Sequence, residues 1–391
     1  MKINWIKKTK EGIQLKNGQF YIDPIYPVKK AVVTHAHADH ARSGNYHVIG
    51  THETIEIMKT RYGENFCKKY TCYKYNQKFK IDGVDLFLAP AGHVLGSAQI
   101  VMDFNNQRVT VAGDYKRQYD PTCTPFEPII SDVFVTEATF GLPVFKHPDA
   151  KSQIEILINS IKKFPDRCHV IGVYSLGKAQ RLIKMMRDFG WNDTIYIHGS
   201  LVKICELYKK FGIDLGKLEP ATIQDKPKKP HEYYKGKLIL APPSALSDIW
   251  SRRFPDPIIG MASGWMTVKQ RAKQRGVNLP LILSDHADWN DILKTIEQVS
   301  PKEVWVTHGS EEALIYECEK RNLSATSLAN PISCVTTIIV IPALAKLTIA
   351  SKTSLIISGS KAEVGSSKSI IFGSIHNALA MAALCCCPPD N

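Results

Sequence analysis

The segment Ala31–Gly44, AVVTHAHADHARSG, sets His35, His37, Asp39 and His40 directly after an apolar run. Imidazole and carboxylate together form a ligand set for zinc and related transition metals. His35 and His37 alternate with the small Ala36 and Ala38, so two imidazoles point the same way toward one ion. Asp39 and His40 are adjacent and must point elsewhere, which suits a second ion a few ångströms off. The pattern of an apolar run ending in a metal-competent residue recurs along the chain. Leu86–Pro90 leads into His93, Val109–Ala112 into Asp114, and Val133–Val135 into Glu137. Leu281–Leu283 leads into Asp285 and His286, and Val304–Val306 into His308. Strand ends that converge on one sheet edge give the rigid support that metal geometry needs. Asp114 is the natural bridge, because one carboxylate can hold two cations. Two ions about 3.5–4 Å apart are a standard arrangement for hydrolysing phosphodiesters. Taken alone, His93 or His308 reads as an ordinary core or surface histidine; the HxHxDH cluster followed by GH and GD does not. His47, His52, His147, His169, His198, His231 and His376 lack such a setting and read as structural.

The elements that must position these residues read as follows. Short β-rich runs fill the first part of the chain, including KAVVTHA, YHVIGT, VDLFLAP, AQIVMDF, RVTVAGD and DVFVTEA. From Ser152 the pattern becomes strand–helix: SQIEILINSIKKF as a helix capped by that serine, HVIGVYSL as a strand, and GKAQRLIKMMRDFG as a helix closed by glycine. TIYIHGS and LVKICELYKKFG continue the alternation, and DKPKKPHEYYKGK reads as a linker before the strand LILAPPSA. LILSDHADW, WNDILKTIEQV and EVWVTHGS then resume the pattern of the first 142 residues, in which polar, metal-competent groups follow apolar runs. One discontinuous domain (1–142 and 284–328) with an α/β insertion (143–283) is expected. Residues 329–391 read as a low-complexity, partly apolar tail in which Pro342 and Lys346 interrupt the longest apolar run, so no membrane span is expected.

The 391 residues are 44% hydrophobic and 22% charged, the composition of an ordinary globular chain, and the net charge of +13 favours a polyanionic partner. The start shows no apolar core of signal-peptide length, and the 10 cysteines include no CxxC pair. Reduced thiols and a cytoplasmic location are the expectation.

THAHADH, the GH of PAGHVLGSAQI and the GD of VAGDYK resemble the metal motifs of the metallo-β-lactamase superfamily. Glu137 in VTEATFG, His286 in SDHAD and His308 in VTHG resemble the further motifs of its β-CASP nuclease branch. FYIDP, AGHVLGSAQI, GDYK, DPTCTPFEP, LGKAQR, APPSA, ASGWM and LSDHADW are similar to segments of bacterial ligase-associated DNA exonucleases, over residues 12–328. The resemblance implies an α/β fold: a metallo-β-lactamase αββα sandwich with an inserted β-CASP cap. It implies two divalent ions, zinc first and manganese second. His35, His37, His93 and Asp114 would hold one ion; Asp39, His40, Asp114 and His308 would hold the other. A bridging hydroxide would attack phosphorus, His286 would act as general acid, and Glu137 would orient a ligand histidine. The implied function is a DNA exonuclease in repair, with DNA as partner and a ligase and helicase as associates. The first rival is an RNA-processing nuclease of the same branch, because RNA-cutting members carry histidine at the position of His308 and well-known DNA-repair members carry valine. A small-molecule thioester or lactam hydrolase is the second rival, and a metal-free binding module the third.

GVYSLGK (Gly172–Lys178) imitates a nucleotide-binding loop, but Ala179 stands where a Ser or Thr hydroxyl would be needed for magnesium. Lys178 at a helix start suits one backbone phosphate instead, and Ser263 and Gly264 of ASGWM could act likewise. Lys269 and Arg271 of KQRAKQR could track a phosphate backbone, with a solvated charged face as the equal alternative. Trp265 and Trp289 read first as core residues and second as base-stacking surfaces.

Overall fold

Alternation of apolar and polar residues builds the first two sheets. In Val84–Pro90 the side chains of Val84, Leu86 and Leu88 are buried while that of Asp85 faces solvent, the period of a strand with one face on a core. The protein is described from a computed structural model over residues 3–15, 20–221, 233–254 and 256–328. The tail reading (329–391), most of the linker, His231 and His376 lie outside the described residues.

The first sheet takes its six strands in chain order: Ile6–Thr9, Gly12–Leu15, Tyr21–Ile22, Lys30–Val32, His47–Gly50 and Lys69–Cys72. The second has seven, in the spatial order Ser324–Ser327, Glu303–Gly309, Val133–Ala138, Gln107–Val111, Ala98–Phe104, Val84–Pro90, Phe79–Ile81. Their facing sides close one core, with Val32 and Ile49 from the first sheet meeting Leu88, Ile100, Val111 and Val135 from the second. The helix His52–Tyr62 covers the outside of the first sheet through Ile55 and Met58. The helices Trp289–Val299 and Glu311–Lys320 cover the second, setting Ile292, Ile296 and Leu314 against Phe134, Val304 and Val306. This is an αββα sandwich, in which each sheet buries both faces.

A third sheet of six parallel strands interrupts it. Its order is Leu218–Pro220, Ile195–Ile197, Leu238–Ala241, His169–Gly172, Ile258–Ala262, Leu279–Leu281. The helices Ala150–Lys163, Lys178–Asp188 and Gly199–Lys210 alternate with its strands. The chain leaves the second sheet after Val133–Ala138 and rejoins it at Glu303–Gly309, and these two strands pair directly in parallel. One apolar cluster joins the third sheet to the sandwich: Leu182, Ile183 and Leu201 share it with Ala31, Val33, Ile55 and Met58. Among the described residues no helix is long and apolar enough to cross a membrane.

Three local readings are corrected. Ser152 does not cap its helix, which begins at Ala150; its Oγ donates to Asp149 O at 2.7 Å from within the first turn. HVIGVYSL is a strand only over His169–Gly172, and Val173–Gly177 form the loop into the next helix. Leu281–Leu283 is not a strand of the sandwich delivering Asp285 and His286. The strand is Leu279–Leu281, it lies at the edge of the third sheet, and a loop carries Asp285 and His286 back.

Candidate metal centre

Two glycines explain why the motifs read GH and GD. Gly92 and Gly113 precede His93 and Asp114 with φ of +71° and +60°, a region costly for residues with a Cβ. A Cβ at Gly92 would come within 2.5 Å of Lys116 O, and one at Gly113 within 2.8 Å of the Thr34 side chain. The tight turns bring His93 and Asp114 against the loop that carries His35, His37 and His40.

The centre of the arrangement is Asp114 Oδ2. It lies 3.6 Å from His35 Nε2, 3.5 Å from His40 Nε2, 3.7 Å from His93 Nε2 and 3.9 Å from His286 Nδ1. His37 Nδ1 is 3.1 Å from His35 Nε2 and 3.0 Å from His93 Nε2. Ligand atoms of His35, His37, His93 and Asp114 all fall within 4.8 Å of one another.

The outer hydrogen bonds decide which nitrogen of each ring carries the proton. Thr34 Oγ1 donates to Asp23 Oδ2 at 2.6 Å and so accepts from His35 Nδ1 at 3.1 Å. Asp285 O accepts from His93 Nδ1 at 2.7 Å, and Leu176 O accepts from His37 Nε2 at 3.2 Å. A carbonyl only accepts, so His35 Nε2, His37 Nδ1 and His93 Nε2 all present lone pairs to the same point. With His37 Nδ1 3.1 and 3.0 Å from the other two nitrogens and no proton among them, these lone pairs call for a cation. The spacing fits one: about 2.0–2.1 Å zinc–nitrogen bonds in a tetrahedron set neighbouring ligand atoms about 3.3 Å apart. Burial lowers the affinity of His35, His37 and His93 for a proton, keeping them in the neutral, ligating form. Asp114 is desolvated, yet the surrounding histidines, His40 first, hold its carboxyl below the usual range.

His40, beside Asp114, also approaches Asp39 and His308. His40 Nε2 is 3.7 Å from Asp39 Oδ2, and the rings of His40 and His308 are 5.4 Å apart. His40 Nδ1 is held by Asp23 Oδ2 at 2.7 Å; against its burial, Asp114 and Asp23 push its pKa up to about 10. Sequence reasoning misses Asp23 as a site residue, although it sits in the FYIDP segment. It serves Thr34 and His40 together, and only the fold shows this.

Glu137 corrects one expectation. Its Oε2 accepts from His286 Nδ1 at 2.8 Å, so it orients the residue expected to act as acid rather than a ligand histidine. Its Oε1 accepts from Tyr115 N at 2.8 Å, which fixes the turn carrying Asp114. Burial opposes protonation of His286, but Glu137 and Asp114 prevail and raise its pKa to about 9.

Lys178 also departs from expectation. It is buried at 3% exposure, with Nζ 3.3 Å from Asp285 Oδ2, so its charge is committed inside the protein rather than offered to a phosphate. Ser263 and Gly264 are buried beside Phe140, whose ring lies 6.1 Å from that of His286. Lys269 is exposed, whereas the Arg271 guanidinium stacks on Trp265, 4.4 Å from the ring centre. Trp265 meets Phe140 and Phe145 at 4.8 and 5.2 Å, and Trp289 is buried in the outer core of the second sheet.

Residues 280–320, which include Asp285, His286 and His308, match the family described as Zn-dependent metallo-hydrolase RNA specificity domain. The chain is 26% identical over 342 residues to a protein of Opitutus terrae named "Probable DNA ligase", covering 83% of this chain and 31% of that protein. It is 24% identical over 212 residues to an "RNase J-like protein" of Methanocaldococcus jannaschii, covering 47% of this chain and 50% of the other. The chain therefore spans half or less of these relatives. A crystal structure of a protein of unknown function from Enterococcus faecalis has a similar fold, with a TM-score of 0.54 at 14% identity, over 77% of this chain and 79% of that one. These matches support the metallo-β-lactamase superfamily, β-CASP nuclease branch, for this chain.

Proposed function

We propose that the protein is a two-metal phosphodiesterase acting on nucleic acid, in the first instance a DNA exonuclease with a repair role. The observation that carries this reading is the convergence of His35, His40, His93 and His286 on Asp114 Oδ2, each within 4 Å. His35, His37, His93 and Asp114 hold one divalent ion, and Asp39, His40, Asp114 and His308 hold a second; zinc suits the nitrogen-rich set best, with manganese as the alternative. Ions bound there supply Lewis acidity toward a phosphoryl oxygen and lower the pKa of bound water.

The chain's own residues do the rest. Asp114, a ligand in both sets, would be shared between the two ions. Thr34, Asp23 and the carbonyls of Leu176 and Asp285 hold the ligand histidines in one tautomer each. His286, held at Nδ1 by Glu137 Oε2, gives its proton to the departing oxygen. The third sheet forms a cap beside this centre, with the boundaries 143–283. Lys269, which is exposed, remains a candidate backbone contact along it, whereas Ser263 and Gly264 are buried, and the net charge of +13 suits a polyanion.

The match to the protein named as a ligase covers most of this chain and favours DNA, with a ligase as working partner; a helicase partner follows from the sequence resemblance alone. RNA is the second reading, favoured by the RNA-specificity description of residues 280–320 and by the RNase J-like relative. End-labelled single- and double-stranded DNA and RNA, digested side by side with zinc or manganese, test both readings. DNA shortened stepwise from one end is expected; RNA cleavage with intact DNA selects the second reading, and no cleavage of either rejects both.

A further inference from the structure

Behind the metal centre lies a second cluster that neither the ligand set nor the acid position uses. Lys116, Asp120, Lys178, Arg181 and Asp285 are all buried, at 6% exposure or less, with three cations set on two carboxylates. Lys116 and Asp120 come from the loop after Asp114, Lys178 and Arg181 from the first turn of the helix Lys178–Asp188, and Asp285 from the segment returning to the sandwich. The cluster thus fills the seam between the third sheet and the sandwich. Lys116 Nζ lies 2.5 Å from Asp120 Oδ2, and Lys178 Nζ 3.3 Å from Asp285 Oδ2. Arg181 reaches both carboxylates at 3.7 Å. Desolvating this many charges is expensive, and groups of this kind are better explained by the geometry they fix than by net stability.

The geometry fixed here is that of His93. Lys116 Nζ donates to His93 O at 3.0 Å, and Asp285 O accepts from His93 Nδ1 at 2.7 Å. Asp285 is in turn held at its carboxylate by Lys178, while Arg181 Nη1 donates to the preceding carbonyl, Ser284 O, at 2.5 Å. Leu176 O, which meets His37 Nε2, leads directly into the same helix start.

We propose that Lys178 and Arg181 are positioning residues for the metal centre. By anchoring Asp285 in the seam, they hold His93 in the tautomer and orientation that present Nε2 to the ion. The inference rests on the metal-centre reading above, and it makes the third-sheet helix part of what determines ion affinity. Arg181 also donates to Tyr119 O at 3.0 Å, so one side chain ties together both loops that flank His93.

The test measures zinc affinity of the full chain by competition with a chelating dye, and records the cobalt(II) absorption spectrum of the same samples. Lys178→Met removes the excess cation and leaves two cations on two carboxylates, the change the buried cluster tolerates best. Arg181→Lys keeps the charge but loses the bonds to Ser284 O and Tyr119 O. Leu240→Ala, on a third-sheet strand away from the cluster, supplies a destabilised comparison. Lys178→Met and Arg181→Lys are expected to bind zinc about tenfold or more weakly, with altered cobalt band intensities, while Leu240→Ala binds as the parent does. Parental affinity and spectrum in whichever of the two cluster variants folds overturn the inference, as does equal weakening in Leu240→Ala. A parent that binds no zinc overturns the metal-centre reading itself, a distinguishable result.

Discussion

Glu137 Oε2 stands 2.8 Å from His286 Nδ1, although the two residues are 149 positions apart in the chain. The other oxygen of the same carboxylate holds the turn that carries Asp114. One buried side chain therefore sets the distance between the acid and the carboxylate at the heart of the site. Replacing it by glutamine keeps the volume and removes the charge that keeps His286 protonated. Glu137→Gln should lower the cleavage rate by about 10²-fold or more while bound metal, measured by elemental analysis, stays at the parental level. Loss of metal in that variant would show that Glu137 acts on the ligands after all.

Asp114→Asn should strip metal and abolish cleavage together, because the lost charge faces both ion positions rather than filling core volume. Circular dichroism should report an unchanged fold, and zinc affinity should fall by more than about 100-fold. Cleavage at the parental rate would contradict the two-metal reading.

Chelation should destabilise the parent. An ion that binds only the folded chain, present at about a thousand times its Kd, adds about 4 kcal/mol to the unfolding free energy. Urea denaturation with and without a chelator measures the difference. Asp114→Asn should show almost none of it.

Gly113→Ala tests the turn that precedes the bridging carboxylate. The added Cβ must adopt φ near +60° and would meet the Thr34 side chain at 2.8 Å. The expected cost is about 1–3 kcal/mol, read as a lower urea midpoint. Zinc affinity should fall as well, since Thr34 also supports His35.

His169 gives a pH dependence remote from the metal centre. It lies buried on a third-sheet strand against Ser160 Oγ at 2.9 Å, and burial lowers its pKa from 6.5 to about 4. Between those values the unfolded chain binds a proton that the folded chain refuses, so stability is complete above about pH 6.5 and declines as pH falls toward 4. The loss amounts to about 3 kcal/mol at most. His169→Gln should flatten that part of the stability curve relative to the parent, as measured by urea titration at successive pH values.

The candidate ligands are legible in the sequence because their signals are local. HxHxDH, GH and GD each place a ligand next to a residue that fixes the backbone, and the apolar run before each announces a strand. The αββα layers follow from the same alternation of buried and exposed positions. The helix boundary at Ser152 is less legible, since a serine near a helix start caps it or sits inside it depending on a backbone turn the sequence does not specify.

What the tertiary structure alone decides is who faces whom across long separations. His93 and Asp285 are 192 positions apart, and nothing local in either segment says that a backbone carbonyl will hold the ring. Lys178 at a helix start reads as a phosphate contact; the fold turns it inward onto Asp285, because the third sheet docks that helix against the metal loops. The sequence by itself determines which groups can bind metal, since that is a property of side-chain chemistry and short-range spacing. Their tautomers, their charge partners and the role of Glu137 depend on packing between distant segments, and only the assembled fold supplies it.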